Sequence, residues 1–344
     1  MLKGHRTWIF STQPAVASAA TVVGPFEGKG PLATDFDLIH GDTWLNQDSW
    51  EKAERRLLEE ACQLAIKKAG LQKEQVQFFI GGDLMSQLIS SSFAARTLTV
   101  PFLGVFSACS TSMESLALSA LLVDSGNAHT VLSGTCSHNS SVEKTFRYPT
   151  EYGGQKPPTA QWSVTGAGAV VVQSNEKKTA DTGLSITAAT IGRVVDMGLT
   201  DPFNMGAAMA PAAVDTIEAH FRDTQTSFKD FDLIITGDLG RVGYKIAYDL
   251  FKKNGWEVSE EKFQDCGVLI YGDNPTVLAG GSGAACSATV TYGHIFKRMI
   301  NGELNKVLVA ATGALLSMLT VQQKESIPCT CHAVVIERRG EPTC

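Results

Sequence analysis

The chain has 344 residues, is 44% hydrophobic, and sets 29 Lys and Arg against 35 Asp and Glu for a net charge of -6. That length buries a sizeable core, as one large domain or two fused smaller ones. The acidic balance argues against a nucleic-acid binder, which carries a basic excess or stripe.

The N-terminus "MLKGHRTWIFSTQP" lacks an apolar stretch of signal-peptide length, so no targeting segment is expected. "GPFEGKGP" follows, glycine-rich but without the spacing of a phosphate-binding loop, and reads as a plain loop. The pattern "AERRLLEEACQLAIKKAG" predicts an amphipathic helix leading to the apolar strand "VQFFIGGDL". Next comes "VFSACSTSMESLALSALL", a strand end, Cys109 and a buried helix; Glu114 and several serines make it a core helix and not a membrane span. The strand "HTVLSGTCS" precedes an irregular stretch, His138 to Trp162, that reads as an excursion over the sheet ends.

The second half repeats this order. "APAAVDTIEAHFRDTQTSF" leads to "FDLIITGDLG", then to "AGGSGAACSATVTYGHIFKRMI" and the strand "KVLVAATGALL", while "GAGAVVVQS" of the first half matches "CHAVVIERR" at the end of the second. Each half thus pairs an amphipathic helix with a strand ending in Gly-Asp-Leu. The weight rests on the order of elements and not on the tripeptide. Two related α/β halves follow, residues 1–183 carrying Cys109 and residues 184–344, with buried sheets between helical layers.

Sites in such folds gather at strand ends and helix starts, which selects Cys109, Asp83, Asp238 and the Gly280–Gly283 turn. Cys109 precedes a helix whose free N–H groups would favour a thiolate, yet a cysteine there is equally well a small core residue. The eight cysteines show no metal-ligand spacing, and "CTC" at Cys329 to Cys331 has no second pair. Their low density, without a secretory signal, points to reduced thiols. No dinucleotide fingerprint is present, so no cofactor is expected.

"FSACSTSMESL", "SVTGAGAVVV", "AGGSGAACSA" and "VLVAATGALL" resemble the thiolase superfamily, above all its ketoacyl-synthase III branch and a group within it from spore-forming bacteria linked to dipicolinic acid. The resemblance implies a five-layer αβαβα fold, dimers that associate beside the cysteine helix, and a cysteine that related enzymes acylate with help from a His/Asn or His/His pair. Those helpers are missing. At the corresponding places stand Gly237 with Asp238, and Gly281 with Ser282, and neither His nor Asn occurs from Ile234 to Arg241 or from Ala279 to Ala288. His332 lies on the segment that lines the site in the superfamily; His138 is a weaker substitute, and His220 and His294 read as exposed or amphipathic helix.

What the resemblance implies is a non-catalytic protein that binds dipicolinic acid, or its calcium chelate, and supports its uptake into the developing spore. It would work with membrane proteins of the same sporulation operon, bound peripherally at the inner membrane of forespore and spore, and bear on germination. A flat pyridine dicarboxylate needs ring-stacking walls and directed donors or cations. Arg147, Tyr148 and Trp162 in the excursion, and Arg193, Phe203, Met205 and Met209 in the stretch 192–214, are the candidates, with the helix N-terminus after Ser282 offering N–H donors. The alternative is a cysteine-dependent acyltransferase or ketoacyl synthase in which Asp238, Ser282 or His332 has taken over the missing roles.

Overall fold

The computed structural model describes residues 1–146 and 156–339. Its main strands are β1 Ala15–Val23, β2 Phe78–Gly82, β3 Phe102–Gly104, β4 Thr130–Ser137, β5 Gly166–Gln173, β6 Leu184–Thr190, β7 Leu233–Thr236, β8 Phe263–Asp265, β9 Lys306–Ala314 and β10 Cys329–Arg338. The main helices are α1 Trp50–Lys68, α2 Ile89–Leu98, α3 Thr111–Asp124, α4 Asn139–Phe146, α5 Met205–Thr224, α6 Gly240–Lys253 and α7 Ala284–Thr289.

Local sequence accounts for the elements. Ser49 caps α1 by accepting from Lys52 N–H at 3.3 Å, and Ala53, Leu57, Ala61 and Ala65 form its buried stripe, with Lys67 and Lys68 at the negative end of the helix dipole. Burying Leu57 of that stripe is worth roughly 1.5–3 kcal/mol. Helix α3 is buried nearly all round, the mark of a helix enclosed on both sides. Every residue of β4 and β5 is likewise buried, as in a sheet covered on both faces.

The strands run in the order β8-β7-β9-β10-β6-β1-β5-β4-β2-β3. On one side β2 lies parallel to β3 and β4; on the other β7 lies parallel to β8 and β9, and each triplet continues into antiparallel partners. The two arms join where β6 meets β1 through two residue pairs, Leu184 with Val16 and Ser185 with Ala15. Helices α1 and α2 cover the outer face of one arm, α5 and α6 that of the other, and α3 and α7 fill the space between. This is the expected five-layer αβαβα arrangement. The central core draws Val16, Leu116, Val131 and Val170 together with Ile270, Cys286, Ile295 and Val334.

Some local expectations need correcting. Strand β3 stops at Gly104, so Val105 to Ser107 form a connecting turn. The excursion after β4 opens with a helix, α4, whose Ser141 is buried against α1. Helix α5 starts at Met205, earlier than the repeat suggested, and takes Met209 into the outer core. His220 is buried, with Nδ1 at 2.8 Å from Thr190 Oγ1.

Candidate functional site

The turn between β3 and α3 carries Cys109. Ala108, just before it, takes a left-handed φ of +50°, a conformation that costs a non-glycine residue of order 1 kcal/mol and turns the chain sharply into the helix. Strand β9 can lie directly beneath because Gly313 has no side chain: a Cβ there would come within 2.3 Å of Ser107 O and 3.1 Å of Ser110 N. Gly82 is equally constrained, its hypothetical Cβ falling 1.9 Å from Val105 O.

From the other arm, the end of β7 brings Asp238 to Cys109. Its buried carboxylate accepts from Thr312 Oγ1 at 2.8 Å, Ser282 Oγ at 3.0 Å and Gly283 N–H at 3.1 Å. Burial raises the Asp238 carboxyl above the ordinary carboxylate range, with the bonds from Thr312, Cys109, Gly283 and Ser282 opposing the rise. Burial likewise pushes the Cys109 thiol well above its ordinary value, reinforced by the charge of Asp238 and the thiol's bond to it; Gly283 N–H and Ser282 pull the other way and are outweighed. Cys109, Asp238, Gly281 and Ser282 therefore form one cluster, as their positions at strand ends and helix starts suggested.

At the N-terminus of α7, expected to offer N–H donors, two of the N–H groups are engaged within the chain. Gly283 N–H is taken by Asp238, and Ala285 N–H by Ser137 Oγ at 3.2 Å.

The remaining candidates separate. His332 lies on the face of β10 that also carries Val334 and Ile336 into the central layer, and it accepts Gly192 N–H on Nδ1 at 3.3 Å. Burial lowers its pKa to about 4, which leaves a neutral ring with Nε2–H as donor. Trp162 borders the cluster: the strand Trp162–Ser163 pairs with Gly281–Ser282. Its ring stands 5.1 Å from Phe26, which stands 5.2 Å from Tyr271, and Lys156 Nζ lies 4.9 Å over it. Arg193 is outside the set; its guanidinium is bound by Asp215 at 2.9 Å, on the solvent side of α5. Phe203 lies half-buried in the same connection. Asp83 does not belong to the site either. It caps α2, accepting from Ser91 N–H at 2.7 Å and Ser91 Oγ at 2.6 Å. His138 is fixed between Thr43 O and Ser140 N–H. Arg147 and Tyr148 lie outside the described residues.

Sequence reasoning missed Thr312, Ser137 and Gln161. The Gln161 amide donates to Asp238 O at 2.6 Å and Gly281 O at 3.0 Å, tying these two segments of the cluster together. No local pattern marks it, although it adjoins Trp162. Among the described residues, no group of three or more His, Cys, Asp or Glu is arranged to hold a metal ion.

Residues 4–337 match the family model described as stage V sporulation protein AD. The chain belongs to that family. Stage V sporulation protein AD of Bacillus subtilis (strain 168) is 51% identical over 339 residues, covering 98% of each chain. Among solved structures, OleA of Xanthomonas campestris superposes with a TM-score of 0.63 at 13% identity, over 98% of this chain and 100% of its own. Human mitochondrial 3-ketoacyl-CoA thiolase gives 0.61 at 14% identity (98% and 100% covered). The 3-oxoacyl-[acyl-carrier-protein] synthase III of Aquifex aeolicus gives 0.56 at 15% (94% and 99%). This member of the sporulation family thus has the thiolase and ketoacyl-synthase III fold. Among its described residues no helix is long and apolar enough to cross a membrane.

Proposed function

We propose that this member of the sporulation family is a non-catalytic binding protein that holds dipicolinic acid, or its calcium chelate, at the former acyl site and supports its uptake into the developing spore. The observation that carries the proposal is the set around Cys109: a buried thiol facing Asp238, Ser282 and Gly283, in which no histidine takes part. Acyl transfer needs a thiolate, an oxyanion hole and a positioned base. Here the acid stands beside the thiol, and the N–H groups of Gly283 and Ala285 are engaged within the chain. The Trp162 ring, with Phe26 inclined at 44° beside it, offers an aromatic face next to the cluster, and Lys156 above Trp162, paired with Glu143 at 2.9 Å, is the cation over it that a ring carboxylate would have to draw from that pair.

The chain would act at the inner membrane of forespore and spore as a peripheral partner of membrane proteins from its operon, and as a homodimer. Support for the dimer is the open edge of β3, where Leu103 and Phe106 are about half exposed beside the exposed Ile89 and Phe93.

Calorimetric titration with dipicolinic acid, with and without calcium, tests the function in wild type and Cys109→Ala, with picolinic acid and acetyl-coenzyme A as comparison ligands. Saturable binding of the dicarboxylate that Cys109→Ala weakens, without response to the acyl donor, is the expected result. Acylation of Cys109 without dicarboxylate binding would instead make the chain an acyltransferase or ketoacyl synthase with relocated helpers.

A further inference from the structure

The aromatic face beside the Cys109 cluster is assembled from three places. Phe26 comes from the loop after β1, Trp162 from the short strand Trp162–Ser163 and Tyr271 from the second arm; Phe26 stands 5.1 Å from Trp162 and 5.2 Å from Tyr271, inclined at 44° and 45°. Phe26 and Trp162 are half-buried and keep a side open, whereas Tyr271 is buried. The Tyr271 ring lies against Gly281 of the cluster, where a Cβ would come within 3.3 Å of Tyr271 Cε2. Tilted rings alone do not fix one another's position, so the face needs a support outside its own contacts.

One side chain reaches the supports of all three rings. Glu27, fully buried, follows Phe26 in the chain, and its Oε1 accepts from the Tyr271 hydroxyl and, at 3.0 Å, from the N–H of Thr165, shortly after Trp162. The loop and the Trp162 segment are joined again by Gly24 N–H donating to Thr165 O at 2.8 Å. That approach needs the glycine: a Cβ there would stand 2.9 Å from Thr165 Cγ2 and 3.1 Å from Glu27 Oε2. Among the described residues Glu27 Oε2 has no hydrogen-bond partner and no cation is paired with the carboxyl. A glutamine would accept the same two bonds without the cost of a buried carboxyl. The acid differs from it in having a proton to lose.

We infer that Glu27 is a positioning residue of this face, holding Tyr271 and the Trp162 segment on one carboxyl oxygen so that the rings stand ready for a flat ring ligand. This role rests on the site proposed above. The carboxyl also leaves a signature of its own, because once ionised it places a negative charge behind the face and repels a dicarboxylate. Burial pushes Glu27 from 4.5 up to about 7, with the bonds from Tyr271, Thr165 and its own backbone opposing the rise, so the charge appears near neutral pH. The other titratable groups around it are Tyr271 and Cys286 from the second arm; His138 and Glu143 at α4, which meets Thr165 through Asn139 N–H; Lys156 above Trp162; Asp35, bonded to His294; and Lys29 on its own segment.

The test is calorimetric titration of the full chain with dipicolinic acid from about pH 6 to pH 8, a range in which ordinary carboxylates stay ionised, on wild type, Glu27→Gln, Glu27→Leu and Tyr271→Phe. Wild-type affinity is expected to fall about tenfold across that range, following the fraction of Glu27 that still holds its proton. Glu27→Gln keeps the acceptor and loses the charge, so it should match wild type at pH 6 and stay level to pH 8. Every other group named above is still present in it, which assigns the difference to Glu27. Glu27→Leu leaves Tyr271 and Thr165 without their acceptor and should bind about two- to tenfold more weakly at pH 6, the worth of one aromatic contact. Wild-type and Glu27→Gln profiles that coincide, or a folded Glu27→Leu that binds as wild type does, would overturn the inference and leave the binding function in place. Wild type that binds at no pH would end the function and this role together. If Glu27→Leu fails to fold, Tyr271→Phe decides: it keeps the ring and the acid, gives up the hydroxyl, and is expected to weaken binding at pH 6, while undiminished binding overturns the inference equally.

Discussion

Gly313→Ala should damage the chain out of proportion to the single methyl group it adds. The new Cβ would sit 2.3 Å from Ser107 O and 3.1 Å from Ser110 N, and both are backbone atoms of the turn that carries Cys109. Neither can rotate away as a side chain would, so β9 or the turn has to shift. Overpacking of this kind costs about 1–3 kcal/mol. For a chain of 344 residues the unfolding entropy is on the order of 0.7 kcal/mol per kelvin, which converts that cost to a fall of roughly 1–4 °C in melting temperature. Gly41→Ala is the matched control. Nothing lies within 4 Å of its Cβ position and its φ is not left-handed, so it should be neutral or stabilise by about 0.4–1 kcal/mol. Differential scanning calorimetry of the two variants beside wild type measures both. A Gly313→Ala variant as stable as Gly41→Ala would refute the claim that the turn is closed by backbone packing.

Two further outcomes are expected. Burial, with the Asp83 carboxyl nearby, pushes Glu54 up to about 8 from 4.5. The folded chain therefore holds a proton that the unfolded chain has released, and this stabilisation, complete below about pH 4.5, is lost as pH rises toward 8. The melting temperature of wild type should fall relative to Glu54→Gln between pH 5 and pH 8.5, and parallel curves would contradict the assignment. Leu103→Asp, placing a charge on the open edge of β3, should halve the mass seen by light scattering if the proposed dimer forms there; an unchanged dimer mass would move the interface elsewhere.

The layers were legible because period and order carry them. All-buried runs such as "GAGAVVVQ" and the stripe of α1 state their surroundings directly. Cys109, Asp238, Gly281 and Ser282 were legible as a group because each stands at a strand end or helix start. The repeated Gly-Asp-Leu shows the limit. Asp83 and Asp238 follow equivalent strands, yet one caps α2 and the other faces the cysteine, since in the second arm Asp265 of β8 has taken over the helix cap. Which acid does which depends on neighbours far away in the chain. Gln161 and Thr312 were invisible for the same reason: their partners are 77 and 74 residues distant. Arg193 reads in the sequence as a candidate cation, whereas its partner Asp215 comes from the next helix, 22 residues away.

The narrow seam between the arms has a bearing on synthesis. Only two residue pairs stitch β6 to β1, and the inner faces are covered by elements from both ends of the chain. When Val170 leaves the ribosome, Val16, Leu116 and Val131 are already out, but Ile270 and the helix after it are about 100 residues away. At translation rates of about 5–20 residues per second, an apolar surface the size of a sheet stands open for roughly 5–20 s. The nascent chain therefore passes through a period in which its stickiest face is finished and unpaired, and its yield in the cell depends on what shields that face until the second arm arrives.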